Sequence, residues 1–176
     1  MNIFVFYTFV SIKKEIPDDM PKLGTTRFNS LTWLENERWR ERNSHLGCIY
    51  GSPMKIKDGI VIGDVIFVLE MKNQENKVGG IGMIKNLICL DKPYTIYADG
   101  NYNRYIYKSN YRIKREELTG QEERIMLVLD RLLFKGYRHY KRGQGMTVLP
   151  DYLAKSQTFD FIDFFKKMFL NKFKKN

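Results

Sequence analysis

Apolar positions along the chain fall into runs of two kinds. Residues 3–10 and 65–71 are continuous β-branched and aromatic stretches, the second broken only by Glu70, and such runs without alternation suit central strands covered on both faces. The polar segment 72–77 then reverses the chain into Val78-Gly79-Gly80-Ile81-Gly82-Met83-Ile84, which predicts a β-hairpin. Glycines inside the return strand predict a bulge or the sharp bend of a barrel wall. Shorter strands are predicted at 47–53, 60–62, 88–90, 94–97, 104–108, 111–114 and 147–149. Pro150 opens a short helix.

Elsewhere the period is helical. Thr32 with Glu35 three positions on is a capping box, so a helix starts there and runs to about Arg42. Trp33 and Trp39 lie about 240° apart on it and cannot share one narrow stripe. Glu35 with Arg38, and Glu37 with Arg40, can pair at three-residue spacing on the wet face. A second box, Thr119 with Glu122, precedes Ile125, Val128, Leu129, Leu132 and Leu133 at core-facing spacing, and Gly136 stands where a C-terminal cap belongs. Residues 158–176 set Phe161, Ile162, Phe165, Met168, Phe169 and Phe173 against five lysines. Such a basic amphipathic tail can pack on the domain, dock a partner protein or lie on a membrane, with packing the ordinary outcome.

The 176 residues, 43% hydrophobic and 14% aromatic, describe a folded chain of one domain, here 1–155, with a C-terminal tail at 156–176. A net charge of +10 and a pI near 9.5 point to a polyanionic partner, nucleic acid ahead of an anionic membrane. Two cysteines make no disulfide framework. The run 3–10 is too short to span a bilayer and has neither a basic leader nor a small-residue cleavage site. A soluble intracellular protein is expected.

The most specialised stretch is 135–150, KGYRHYKRGQGMTVLP. Gly143 and Gly145 allow positive φ or close approach, the lysines and arginines suit phosphate, and Tyr137 and Tyr140 offer stacking faces. Basic and aromatic residues also interleave at 102–115. No catalytic constellation emerges. His45, Cys48, Cys89 and His139 lack paired zinc-ligand spacing, and Met146 stands where a His-x-Lys phosphodiesterase needs aspartate. Asp64, Glu70, Asp99, Glu116 and Glu117 show no two-metal spacing. The expectation is therefore a non-enzymatic protein without cofactor, metal or small-molecule substrate.

Four segments in order resemble the EVE domain, a PUA-like family related to the YTH readers of methylated RNA. They are Thr25-Thr26-Arg27-Phe28-Asn29 with the following helix 36–43, then Ile62-Gly63-Asp64-Val65-Ile66-Phe67 with Gly80-Ile81-Gly82, then Leu132-Leu133-Phe134-Lys135-Gly136, and finally Met146-Thr147-Val148-Leu149-Pro150. Phe28 replaces that family's tryptophan. The glycine-rich basic insertion, with Gly47-Cys48-Ile49-Tyr50-Gly51-Ser52-Pro53, also resembles an uncharacterised family of small proteins of large nucleocytoplasmic DNA viruses. The first resemblance implies an α+β fold, a partly open and mostly antiparallel β-barrel flanked by helices, with a pocket for a flipped or single-stranded modified base in RNA or DNA. It implies Phe28, Trp33 or Trp39 as stacking rings, Asn29, Ser30 and Asn36 as edge readers, and Arg27, Arg40, Lys141 and Arg142 as phosphate holders. Arg138, His139 and Thr147 complete the set. The alternative is a virion or host-interaction protein whose terminal helix docks a partner.

Overall fold

The computed structural model describes residues 21–57, 59–137 and 139–174; the strand expected at 3–10 lies outside them. In chain order the elements are β1 (Lys22–Phe28), α1 (Ser30–Arg42), β2 (Cys48–Ser52), β3 (Val65–Lys72), β4 (Lys77–Lys85) and β5 (Tyr105–Ser109). They continue with β6 (Tyr111–Lys114), α2 (Gln121–Phe134), β7 (Thr147–Val148), α3 (Asp151–Ala154) and α4 (Phe161–Lys174). Five strands form one sheet in the order β6-β4-β3-β1-β7, with β1 and β3 parallel and every other pairing antiparallel, while β2 and β5 form a separate antiparallel ladder. The α+β class and the mostly antiparallel pairing are as expected, while the strands form an open sheet and no closed barrel among the described residues. The chain changes sheets at Asn110, so the consecutive strands β5 and β6 hydrogen-bond to different partners.

The continuous apolar run of β3 has the predicted cause. Val65, Phe67, Leu69 and Met71 join a core with residues of α2 and α4, while Ile66 and Val68 join a second core with Trp39 of α1 and Ile49, Tyr50 and Tyr107 of the two-stranded ladder. Alternate side chains of one strand thus feed both layers, and both faces are dry.

β4 carries the predicted bulge, since Glu70 pairs with Gly80 but Met71 with Val78, leaving Gly79 as the extra residue. The next two glycines make room. A Cβ on Gly80 would lie 2.6 Å from Glu70 Oε2, and one on Gly82 would run into the Tyr50 hydroxyl and lie 2.7 Å from Cys48 Sγ. What fills the space is a buried ion pair. Arg112 of β6 donates from Nε to Glu70 Oε1 at 2.8 Å and from Nη2 to Oε2 at 2.6 Å, and the Tyr50 hydroxyl donates to Oε1 at 2.8 Å. Burial alone would lower the Arg112 pKa; the facing Glu70 carboxylate overrides this and holds it above the ordinary value.

Several expectations are corrected. Residues 60–62, 88–90 and 94–97 are loops, and Val61 and Ile62 are exposed. The α1 cap is Asn29, whose Oδ1 accepts from the Thr32 amide at 2.8 Å while Thr32 Oγ1 accepts from the Asn29 amide at 3.0 Å, so the helix begins earlier than the Thr32 box predicts. Glu35 and Arg40 turn to other partners. In α2 the buried stripe is Met126, Leu129, Leu133 and Phe134; Val128 and Leu132 face outward. The rotation lets Asp130 Oδ1 accept from the Val78 amide at 2.7 Å while Arg115 bridges Asp130 and Glu123. Gly136, at φ +85°, ends α2 in the left-handed conformation.

Of the three destinations open to the terminal amphipathic stretch, packing is the one found. Phe165 and Phe169 of α4 have no exposed surface and lie 6.0 and 5.3 Å from Phe67, ring centroid to centroid. Among the described residues no helix is long and apolar enough to cross a membrane.

Candidate functional site

β1 runs straight out of the sheet into the first wall of a cleft. Thr26, Arg27 and Phe28 line it from the strand, and Asn29, Leu31, Thr32 and Glu35 line it from the start of α1. The second wall is Gly51 of β2 with Tyr97 and Tyr102. A Cβ on Gly51 would collide with the Tyr102 carbonyl and stand 2.9 Å from the Tyr97 ring, so glycine lets this loop lie directly on β2. Asn103 shapes the loop: Oδ1 accepts from the Ile96 and Tyr97 amides at 2.9 and 3.0 Å, and Nδ2 donates to the Tyr97 carbonyl at 2.7 Å. The Tyr97 and Tyr102 rings meet edge to face, 6.2 Å apart at 73°. Glu35 Oε1 accepts from the Ala98 amide at 3.1 Å, tying α1 to the loop.

The third wall is the glycine-rich segment. Gly143 and Gly145 adopt φ of +122° and +67°, and Arg27 clamps the segment from below. Its Nε donates to the Tyr140 carbonyl at 2.7 Å, and its Nη1 to Thr147 Oγ1 at 3.2 Å and to the Gly145 carbonyl at 3.4 Å. Burial lowers the Arg27 pKa, yet a guanidinium stays charged, so a fixed positive charge sits beneath Gly143, 3.4 to 3.5 Å from where a Cβ would be. A second tether comes from the β3–β4 turn, where Asn73 Nδ2 donates to the Lys141 carbonyl at 3.2 Å and Lys141 Nζ donates to Asn76 Oδ1 at 2.8 Å. Asn73 Oδ1, also in the cleft wall, is buried with no hydrogen-bond partner among the described residues. The three walls enclose about 340 Å³, within the range of small-ligand sites.

The predicted residues divide. Arg27, Phe28, Asn29 and Lys141 line the cleft together. Arg27 works chiefly as a loop clamp, and Asn29 spends its Oδ1 on the helix cap. Thr147 accepts from Arg27 at the base of the same wall. Ser30 opens α1 and Arg142 is exposed on the loop, neither in the cleft wall. Trp33 stacks elsewhere: it meets Phe28 edge-on at 5.4 Å, with Lys72 Nζ 4.7 Å and the Arg112 guanidinium 5.8 Å from its ring. Asn36 is buried and fully used, donating to the Ile49 carbonyl at 2.8 Å and the Tyr97 hydroxyl at 3.0 Å and accepting from Arg40 Nε at 3.0 Å. Arg40 is consequently a buried strut rather than a phosphate holder, and burial, then Arg112, lowers its pKa. Trp39 is buried against Tyr94, 5.8 Å between centroids. His139 is half-buried, and its Nδ1 has no hydrogen-bond partner among the described residues. Arg138 lies outside the described residues.

Sequence reading did not single out Tyr97, Gly51, Asn73 or Glu35 as site residues, and reached Tyr102 only as the first residue of the basic and aromatic stretch 102–115. The clue available was the turn-forming Asp99-Gly100-Asn101 set between two tyrosines. Among the described residues no group of three His, Cys, Asp or Glu side chains is placed to hold a metal ion. Cys48 is wholly buried, and burial, reinforced by Glu70, pushes its thiol up to about 12.

Compared with protein-family models, curated proteins and solved structures, the chain matches none of them. The fold and the cleft therefore define the molecule by themselves: an α+β protein with an open, mostly antiparallel sheet and an aromatic, glycine-walled cleft.

Proposed function

We propose that this chain is a non-enzymatic PUA-like protein that binds nucleic acid, taking a single-stranded or extruded base, modified or not, into the cleft. The observation that carries the reading is the meeting of Phe28, Tyr97 and Tyr102 with the Arg27-clamped glycine loop around one cavity, on a chain of net charge +10. A base needs apolar ring surface, edge hydrogen bonds and nearby cations. Tyr102, half-buried at the rim, supplies the ring; Asn73 of the wall holds a buried Oδ1, unpaired among the described residues, that a base edge reaches once the side chain turns into the cleft; Lys141 and Arg142 supply charge on the loop. A rival role in docking a protein through the terminal helix loses its main surface, because the apolar face of α4 is buried in the core.

The test is fluorescence anisotropy with labelled single-stranded RNA and DNA across a salt series, using the wild-type chain and Tyr102→Ala. Binding that weakens with salt and drops about 5- to 150-fold in the variant, the loss of one stacked base at about 1–3 kcal/mol, is expected, with a cooperative unfolding transition retained at a somewhat lower temperature because Tyr102 also packs on Tyr97. An absence of binding at low salt, or binding indifferent to Tyr102 and equal for heparin, would defeat the reading.

A further inference from the structure

A second hollow, of about 590 Å³, adjoins the cleft and shares Glu35, Tyr97 and Ala98 with it. The Glu35 to Ala98 hydrogen bond is the sill between them. Beyond the sill the hollow is bordered by Arg38 and Arg42, both exposed, and floored by the buried Trp39. The two arginines are four residues apart on α1, one turn and about 6 Å of helix rise, and so form a cationic rail along one side. Arg42 Nε donates to the Arg38 backbone carbonyl at 3.3 Å, which holds the Arg42 side chain back along the helix toward Arg38. Glu35 is the acidic group facing the rail from α1, and the Ala98 amide engages its carboxylate. On the far side of the cleft stands Lys141 of the glycine loop, with Arg142 next to it in the chain and exposed. Cations therefore flank the cavity at both ends, with two rings in the wall between.

We infer that the two hollows form one groove, and that its ligand is a single strand of several nucleotides whose backbone runs from the glycine loop across the sill to Arg38 and Arg42. This rests on the base-binding reading above and adds the footprint to it. Each phosphate neutralised on a single strand contributes about 0.7 to the slope of log K against log salt, so the rail should account for a slope of about 1.4.

The experiment compares three proteins on a fluorescein-labelled mixed-sequence RNA hexanucleotide and its DNA counterpart between 50 and 200 mM salt, roughly the window in which counterion release is read. They are the wild type, Arg38→Ala/Arg42→Ala, and Arg124→Ala/Arg131→Ala. The last removes the same charge from exposed positions on α2, on the other side of the sheet. The expected result is a slope shallower by about 1.4 and affinity down roughly tenfold at the lowest salt for the α1 pair alone. Equal losses for both pairs, or none for the α1 pair while Tyr102→Ala, measured alongside, still weakens binding as described above, would overturn the groove and leave the cleft reading standing. No binding by the wild type would overturn both.

Discussion

The two faces of the five-stranded sheet are built on opposite plans. Toward α2 and α4 the strands present Leu23, Phe67, Leu69, Ile81 and Ile113 against phenylalanines and leucines, a core without a buried charge among these side chains. Toward α1 and the two-stranded ladder the same strands present Glu70, Arg112, Thr26 and three glycines, met by Tyr50, Asn36 and Arg40. Apolar packing is tolerant of exchange so long as volume is kept. A buried ionic network is not, because each member left alone keeps its desolvation penalty. The difference teaches a division of labour. The helical side supplies bulk stability, and the other side holds α1, β2 and the Tyr97 loop at fixed distances, which is what a cleft between those elements requires.

The largest effects should come from a matched pair of variants. Phe169→Ala on the helical side and Glu70→Ala on the other should each cost about 3–5 kcal/mol in urea unfolding. They should part company on repair. Glu70→Leu combined with Arg112→Met should recover part of the loss, since removing both charges removes their penalty and leaves only the Tyr50 hydroxyl without its acceptor, whereas no second substitution restores the volume of Phe169 so simply. Failure of the double variant to recover would show that the pair is not the organising element of that face.

Next in size is Gly82→Ala, at about 1–3 kcal/mol from overpacking against Tyr50 and Cys48. Adding Tyr50→Phe should return part of it, measured as a non-additive double-mutant cycle. Strict additivity would place the strain elsewhere.

The last effect is absent at neutral pH and develops only in alkali. The folded chain keeps the Cys48 proton up to about pH 12, while an unfolded thiol releases its own near pH 8.5. This contribution is therefore complete below about pH 8.5 and is lost as pH rises toward 12. Stability plotted against alkaline pH should fall less steeply in Cys48→Ala than in the wild type. Native Cys48 should also resist maleimide at pH 8 while the half-buried Cys89 reacts.

Much of this layout is legible along the chain. The hairpin of β3 and β4, the bulge among its glycines, and the two-sided burial of β3 follow from residues 65–84 alone. The α1 start does not, because Thr32-x-x-Glu35 and Asn29-x-x-Thr32 satisfy the same local template, and only the Ala98 amide, 63 positions from Glu35, decides where that carboxylate goes. The orientation of α2 is similarly undecided by its own residues. Leu127, Val128 and Leu132 are as apolar as the buried set, and the choice is made by Asp130 finding the Val78 amide on β4. In the cleft, the glycines of 135–150 and Arg27 stand out as special, but their relation does not. The acceptors on Arg27 lie 113 to 120 positions away, a distance over which no periodicity carries information.

The placement of α4 has a consequence for the order in which the molecule can be completed. Strand β1 lies inside the sheet, between the central β3 and the late edge strand β7, and the rings that seal the helical face belong to residues 161–174. During synthesis a nascent chain can pair β1, β3 and β4 long before those rings leave the ribosome, and until then Phe67 has water for a neighbour in place of Phe165 and Phe169. The helix that reads as an appendage is thus the lid that turns a wet half-sheet into a folded protein.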